Sequence, residues 1–251
     1  MRGTQRRRNF MYMMDLTASQ FKEIKKKVGT VLLPIGMMET HGPHCSLGTD
    51  VWIPREFVKR LDKLIGDKVL IAPEVPYGHS WALAPFEGTI DISAETFSQY
   101  VYEIGKEFNR NGFDEVILFN GHGGNIPSLM IVAEKLADLN MKVLTINWWT
   151  DYREQILGIT KGPGHGGEDE TSLVLAIDEK LADPSLAGDW KVSLNPKLKF
   201  FNMGKTLYKD GYMGDAGSAT AEKGERLYEM MIELILKDIE ELWKLQSNSE
   251  L

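Results

Sequence analysis

Residues 115–125 read EVILFNGHGGN: a mostly apolar run from Glu115 to Asn120, closed by Gly121-His122-Gly123-Gly124-Asn125. A short apolar run that stops at glycines reads as a buried strand. Behind it, Ile126 to about Asn140 predicts a helix, and Lys142 to Asn147 (KVLTIN) predicts another strand. The same alternation precedes it. Val28 to Gly36 (VGTVLLPIG) reads as a buried strand weakened at its far end by Pro34, and Lys68 to Pro73 (KVLIAP) as a short one. Between them Pro54 opens a helical stretch to about Gly66, because proline suits a first helical position. Ser93 caps a further helix that runs to the Asn111-Gly112 stop. Strand and helix alternating at this spacing imply right-handed crossovers and helices on both faces of the sheet. The fold class is α/β, a three-layer α/β/α arrangement with a mostly parallel central sheet.

Two long loops, Glu74 to Asp91 and Trp148 to Gly167, interrupt the pattern, and a helix begins near Glu168. Residues 183–217, with Pro184, Pro196 and several glycines, resist assignment. The last helix, Ser218 to about Leu245, shows one apolar face built from Leu227, Met230, Met231, Leu234, Ile235, Ile239 and Leu242. Residues 15–251 read as one domain. Residues 1–14 read as an N-terminal tail bearing Arg2, Arg6, Arg7 and Arg8 as a solvated cluster, with Met11, Met13 and Met14 as alternative starts.

Charge and composition narrow the function. With 29 Lys+Arg against 36 Asp+Glu the net charge is −7, which argues against a nucleic-acid partner. No apolar run approaches the roughly 18 residues that span a bilayer. The single cysteine, Cys45, forbids an internal disulfide and reads as a buried, inert thiol in a reducing compartment. A soluble cytoplasmic protein is expected.

Five histidines carry most of the chemical information. His41 and His44 lie in Glu39-Thr40-His41-Gly42-Pro43-His44 after the first strand, and His122 follows the third. His165 opens His165-Gly166-Gly167-Glu168-Asp169-Glu170-Thr171-Ser172. Ligands of parallel sheets bind beyond the carboxyl ends of strands, so these residues converge on one sheet edge. Imidazoles and carboxylates gathered there, Asp50 included, suit a divalent metal site for zinc, manganese or iron. His44 reads as a hydrogen-bonding partner within its own loop. His79 reads as a substrate-facing residue of the long second loop, and Glu168 and Asp169 as acids favourable at a helix start.

Four blocks, Glu39-x-His41-Gly42, Gly48-Thr49-Asp50, Asn120-Gly121-His122 and His165-Gly166-Gly167-x-x-Glu170-Thr171-Ser172, resemble the creatininase family of metal-dependent amidohydrolases. They occur in the family's order, and the resemblance spans Val28 to Ser172, about three-fifths of the chain. The resemblance implies a three-layer fold, two divalent metal ions per chain and a homo-oligomer, often a hexamer. It implies that Glu39 and His122 bind one ion and His41 the other, with Asp50 bridging. The creatinine-hydrolysing members carry a glutamate where this chain has Gly124, and Glu170 is the natural replacement. His165 matches the histidine that shuttles a proton to the leaving nitrogen, and Trp149 a tryptophan that covers the substrate.

The activity so implied is hydrolysis of a small amide or cyclic amide outside peptides. A hydroxide held on Asp50 attacks the carbonyl, and His165 protonates the leaving group as a general acid. The departure at Gly124 leaves other activities of the family open. They are removal of a formamide in flavin or deazaflavin synthesis, hydrolytic carbon–carbon opening of a cyclic diketone such as a dehydro-inosose, and peptide trimming in the maturation of a redox cofactor. A metal-binding protein without turnover is the non-enzyme alternative.

Overall fold

Every residue of strand β1, Thr30–Ile35, is buried, because this strand lies inside a sheet covered on both faces. The computed structural model describes residues 12–195 and 197–245. Four parallel strands, β1, β2 (Val69–Ile71), β3 (Glu115–Asn120) and β4 (Lys142–Asn147), lie side by side in the order β2-β1-β3-β4. Alternate side chains go to opposite faces, as pleating requires. Leu32, Ile117, Phe119 and Ile146 pack into one core with α2 (Thr49–Ile65), α7 (Glu168–Ile177) and α9 (Ala221–Lys244). Val31, Leu33, Ile35, Val116 and Leu118 pack into the other with α1 (Ala18–Ile24), α3 (Ala94–Arg110) and α4 (Ile126–Ala137). The fold is therefore three layers, α/β/α. Each large apolar side chain so buried contributes about 1.5–3 kcal/mol.

Pro34 costs the sheet nothing. It stands at a level where β2 has ended, and its carbonyl accepts from the Val75 amide at 2.9 Å.

Elsewhere the structure corrects the sequence reading. Helix α2 starts at Thr49, so Pro54 lies inside it and does not open it. Proline has no N–H, so the Asp50 carbonyl one turn earlier has no intrahelical donor there. The Trp148–Gly167 stretch holds two short helices, α5 (Trp148–Asp151) and α6 (Arg153–Leu157). Residues 183–217 form a two-stranded ribbon, β5 (Asp189–Trp190) with β6 (Gly214–Asp215), and a single helical turn, α8 (Gly204–Leu207). Local periodicity is too short in these pieces to announce them.

The arginines Arg2, Arg6, Arg7 and Arg8 and Met11 lie outside the described residues. Tyr12 bridges Ile71 and Met13 packs on the α3 side, so packing against the sheet begins before Asp15. Among the described residues no helix is long and apolar enough to cross a membrane.

The strand order matters for function. The chain leaves β1 toward one edge and returns to β3 on the other side, so the two connections part above β1 and β3. Such a switch point opens a crevice at the carboxyl ends of the strands.

Candidate metal centre

The crevice is filled by the predicted residues. Glu39 and His41 arrive from the loop after β1, Asp50 from the first turn of α2, His122 from the loop after β3, and Glu170 from the first turn of α7. All five are buried. His41 Nε2 is 3.1 Å from Asp50 Oδ1 and 3.6 Å from a Glu170 oxygen. His122 Nδ1 is 2.9 Å from Asp50 Oδ2 and 3.1 Å from Glu39 Oε1. Asp50 thus presents one oxygen to each of two groups, Glu39–Asp50–His122 and His41–Asp50–Glu170, whose ligand atoms each lie within 4.8 Å of one another. A third such group joins Glu39, His41 and His165.

The second ring nitrogen of each imidazole is committed to the backbone. His41 Nδ1–H donates to the Glu39 carbonyl at 3.2 Å, His122 Nε2–H to the His79 carbonyl at 3.1 Å, and His165 Nε2–H to the Thr40 carbonyl at 2.7 Å. Backbone acceptors on the far nitrogen fix the tautomer and aim the near one inward, as metal-ligating histidines require. Glu39 Oε1 and Asp50 Oδ2 are buried without a hydrogen-bond donor. Buried oxygens are rarely left so, and a cation between them would satisfy both. The residues therefore fit a divalent metal.

Charge in the pocket follows the same logic. Burial alone would raise the Asp50 carboxyl, but His41 and His122 beside it hold it well below the usual range. Burial alone would lower His41; Asp50, Glu170 and Glu39 outweigh it and push the imidazole up to about 9. His122 likewise rises well above its ordinary value, because Glu39 and Asp50 outweigh burial. Glu170 is raised, by burial first. His165 goes the other way: burial, then the neighbouring His41 cation, lower it to about 4. It therefore rests neutral with a free lone pair on Nδ1, 3.5 Å from Glu39 Oε1. The general acid of the sequence reading must first take up a proton.

Supporting residues hold this geometry. The Ser80 hydroxyl donates to Glu39 Oε2. Asn120 Nδ2 donates to the His122 carbonyl and to Asn147 Oδ1, each at 2.8 Å, joining the ends of β3 and β4. Asn125 Nδ2 donates to the Gly36 carbonyl at 3.2 Å, while its Oδ1 accepts from the His79 amide at 3.0 Å. Glu168, Asp169 and Glu170 each accept from backbone amides of residues 161–166, so the acids at the helix start brace the loop that carries His165. The sequence reading missed Ser80 and Asn125 as site supports, although both sit inside stretches it had singled out.

A cavity of about 490 Å³ opens onto the cluster, lined in part by Trp149, His79, His165, Tyr208 and Met213. The His79 carbonyl orients His122, and its own Nδ1–H donates to the Ile92 carbonyl at 3.0 Å. Tyr208 was not foreseen; its ring meets His165 edge-on at 5.2 Å. His44 is buried away from this cavity and bonds the Gly166 carbonyl at 2.8 Å, so it ties two loops together where an intraloop bond was expected. The Cys45 thiol is buried and pushed up to about 12, which keeps it protonated and inert.

A family model described as creatinine amidohydrolase matches residues 14–239. The chain belongs to the creatininase family. The creatinine amidohydrolase of Pseudomonas putida is 29% identical over 250 residues, covering 88% of this chain and 94% of that one. The mycofactocin precursor peptide peptidase of Mycolicibacterium smegmatis is 28% identical over 233 residues, covering 90% of each. The solved structure "Creatininase Mn" superposes with a TM-score of 0.82 at 25% identity, covering 94% of this chain and 99% of that one. Relatives in the creatininase family are hydrolases, and identities this close together do not choose between their substrates.

Two glycines let this creatininase-family site close. A Cβ on Gly121 would stand 2.2 Å from the Asp50 carbonyl and 2.6 Å from the Pro54 ring, so only glycine lets the β3 loop bring His122 against α2. A Cβ on Gly124 would stand 2.0 Å from the His79 carbonyl and 2.6 Å from His122 Nε2. Residue 124 has no room for a carboxylate, and Glu170 from α7 lies in the second group. Gly124→Ala is expected to push the His79 carbonyl off His122 and to cost about 1–3 kcal/mol of stability. Metal affinity should fall by about 10–100-fold, the usual size when a histidine loses its orienting partner. Denaturant unfolding and metal titration of the same variant check both.

Proposed function

We propose that this chain is a metal-dependent amidohydrolase acting on a small amide or cyclic amide, with two divalent ions held by Glu39, Asp50 and His122 and by His41, Asp50 and Glu170. The observation that carries the reading is Asp50, whose two oxygens serve two separate groups at the floor of a cavity that His165 also lines. Zinc or manganese, when bound, would activate a water and polarise the substrate carbonyl. The protein's own groups supply the rest. Trp149 and Met213 line the cavity, so a substrate that fills it displaces water and charge developing on the carbonyl oxygen meets a lower dielectric. His165 keeps Nε2–H on the Thr40 carbonyl, so Nδ1 is the atom that takes a proton from the attacking water and passes it to the leaving nitrogen. A cytoplasmic homo-oligomer, with a hexamer as the specific expectation, completes the proposal; light scattering of the purified protein tests the assembly.

The experiment is elemental analysis of protein purified without chelators or added metal, paired with a hydrolysis panel of formamides, lactams and cyclic diketones. Near two divalent ions per chain, with turnover of an amide that stops on chelation, is the expected result. Failure to bind metal on titration would sink the proposal, and turnover of the diketone alone would move the activity to carbon–carbon bonds.

A further inference from the structure

Two cationic side chains line the cavity besides the acid and histidine cluster. Arg153, the first residue of α6, lines it together with Trp149, and Lys199 lines it from the segment before α8. Arg55, Arg60 and Arg110 each sit on a glutamate elsewhere in the molecule. Arg153 is exposed and makes no ion pair or hydrogen bond with any described residue. In a chain of net charge −7 a guanidinium with many carboxylates to choose from is thus held apart, on the wall of the cavity.

Its placement is built into the fold. The preceding residue, Tyr152, is buried and donates its hydroxyl to Asp238 of α9 at 2.6 Å. Ile156, three residues on, is buried in the same core. These two anchors pin the backbone on either side of Arg153, whose side chain is exposed and shares the cavity wall with Trp149.

We infer that Arg153, with Trp149 beside it and Lys199 as a second cation, is the subsite for an anionic group of the substrate. That group is a carboxylate or a phosphate monoester, set apart from the scissile amide by an apolar or planar spacer. The inference rests on the amidohydrolase reading and names its substrate class. The guanidinium fork matches two oxygens of such a group, and the indole face takes the spacer. The chemistry end and the anchoring end are then separate, so binding energy gained at Arg153 positions the carbonyl over Asp50.

The test uses the metal-loaded protein and a homologous series of N-formyl ω-amino acids. The matching carboxamides and N-formyl-O-phosphoethanolamine complete the set. In the wild type, kcat/KM for an anionic member should exceed that of its neutral partner, with the difference mainly in KM. Arg153→Gln should reduce this preference by about tenfold or more, the loss expected when a charge-assisted pair is removed, and Arg153→Lys should restore part of it. A larger effect on the carboxylate arm or on the phosphate arm identifies which anion the site takes. An unchanged preference in Arg153→Gln overturns the inference while leaving the hydrolase reading intact. If no member is hydrolysed, that reading is decided by the metal titration and the wider panel of formamides, lactams and diketones. The inference is then decided by calorimetric binding of the uncleavable N-methanesulfonyl analogues: weaker binding to Arg153→Gln supports it, and equal binding overturns it.

Discussion

Replacing Asp50 with asparagine removes the bridge of both ligand groups at once, and we expect metal content to fall toward zero and turnover to fall with it. The loss in kcat should reach at least about 10²–10³-fold, the size seen when one electrostatic contact to a transition state is removed. Elemental analysis and turnover, measured on the same preparation, check the prediction; full occupancy in the variant would refute the bridging role. A second signature appears in metal-free protein. His41 and His122 would keep their buried positions but lose the carboxylate between them, and breaking a buried ion cluster from one side costs about 3–5 kcal/mol. The pH dependence has a definite sign. His41 is raised from its ordinary 6.5 to about 9, so its contribution is fully present below 6.5 and is lost as pH rises through 9. Chelated wild type should therefore lose stability across that window, and Asp50→Asn should flatten the decline.

The second large effect falls on His165. His165→Ala should lower kcat by about 10²–10⁴-fold, the usual worth of positioned proton transfer, while two metal ions remain bound. The separation follows from geometry: the side chain faces Glu39 Oε1 at 3.5 Å, yet both Asp50-centred groups are complete without it. Loss of metal together with activity would instead assign His165 to a ligand role in the Glu39–His41–His165 group. Full turnover in the variant would remove it from the mechanism.

Much of the site was legible because each functional block sits directly at a strand end or helix start. Glu115–Asn120 and Lys142–Asn147 have the predicted boundaries, since strong apolar runs with glycine or polar stops leave little choice of register. Glu39, His41, Asp50, His122 and Glu170 were named from spacing and family resemblance, and the fold brings them together. The start of α2 is not legible locally, because Pro54 suits a first helical position yet lies inside the helix. In the folded chain its missing donor lies against the Gly121 approach, a contact between segments far apart in sequence. Arg153, Tyr208 and the brace from Ser80 to Glu39 left no local signal, being ordinary residues made relevant by their neighbours.

By itself the sequence determined the parallel α/β framework, the sheet edge where histidines and acids gather, and the family. Strand periodicity is a local property, and residues placed just after strands must land at the carboxyl edge. Only the tertiary structure decided which nitrogen of His122 and of His165 faces inward, because that depends on the carbonyls of His79 and Thr40 reached through folding. It also decided that Asp50 divides its oxygens between two groups, and that position 124 is closed to a carboxylate by the His79 backbone. Those outcomes turn on contacts between distant segments at two to four ångströms, a distance scale that no spacing along the chain encodes.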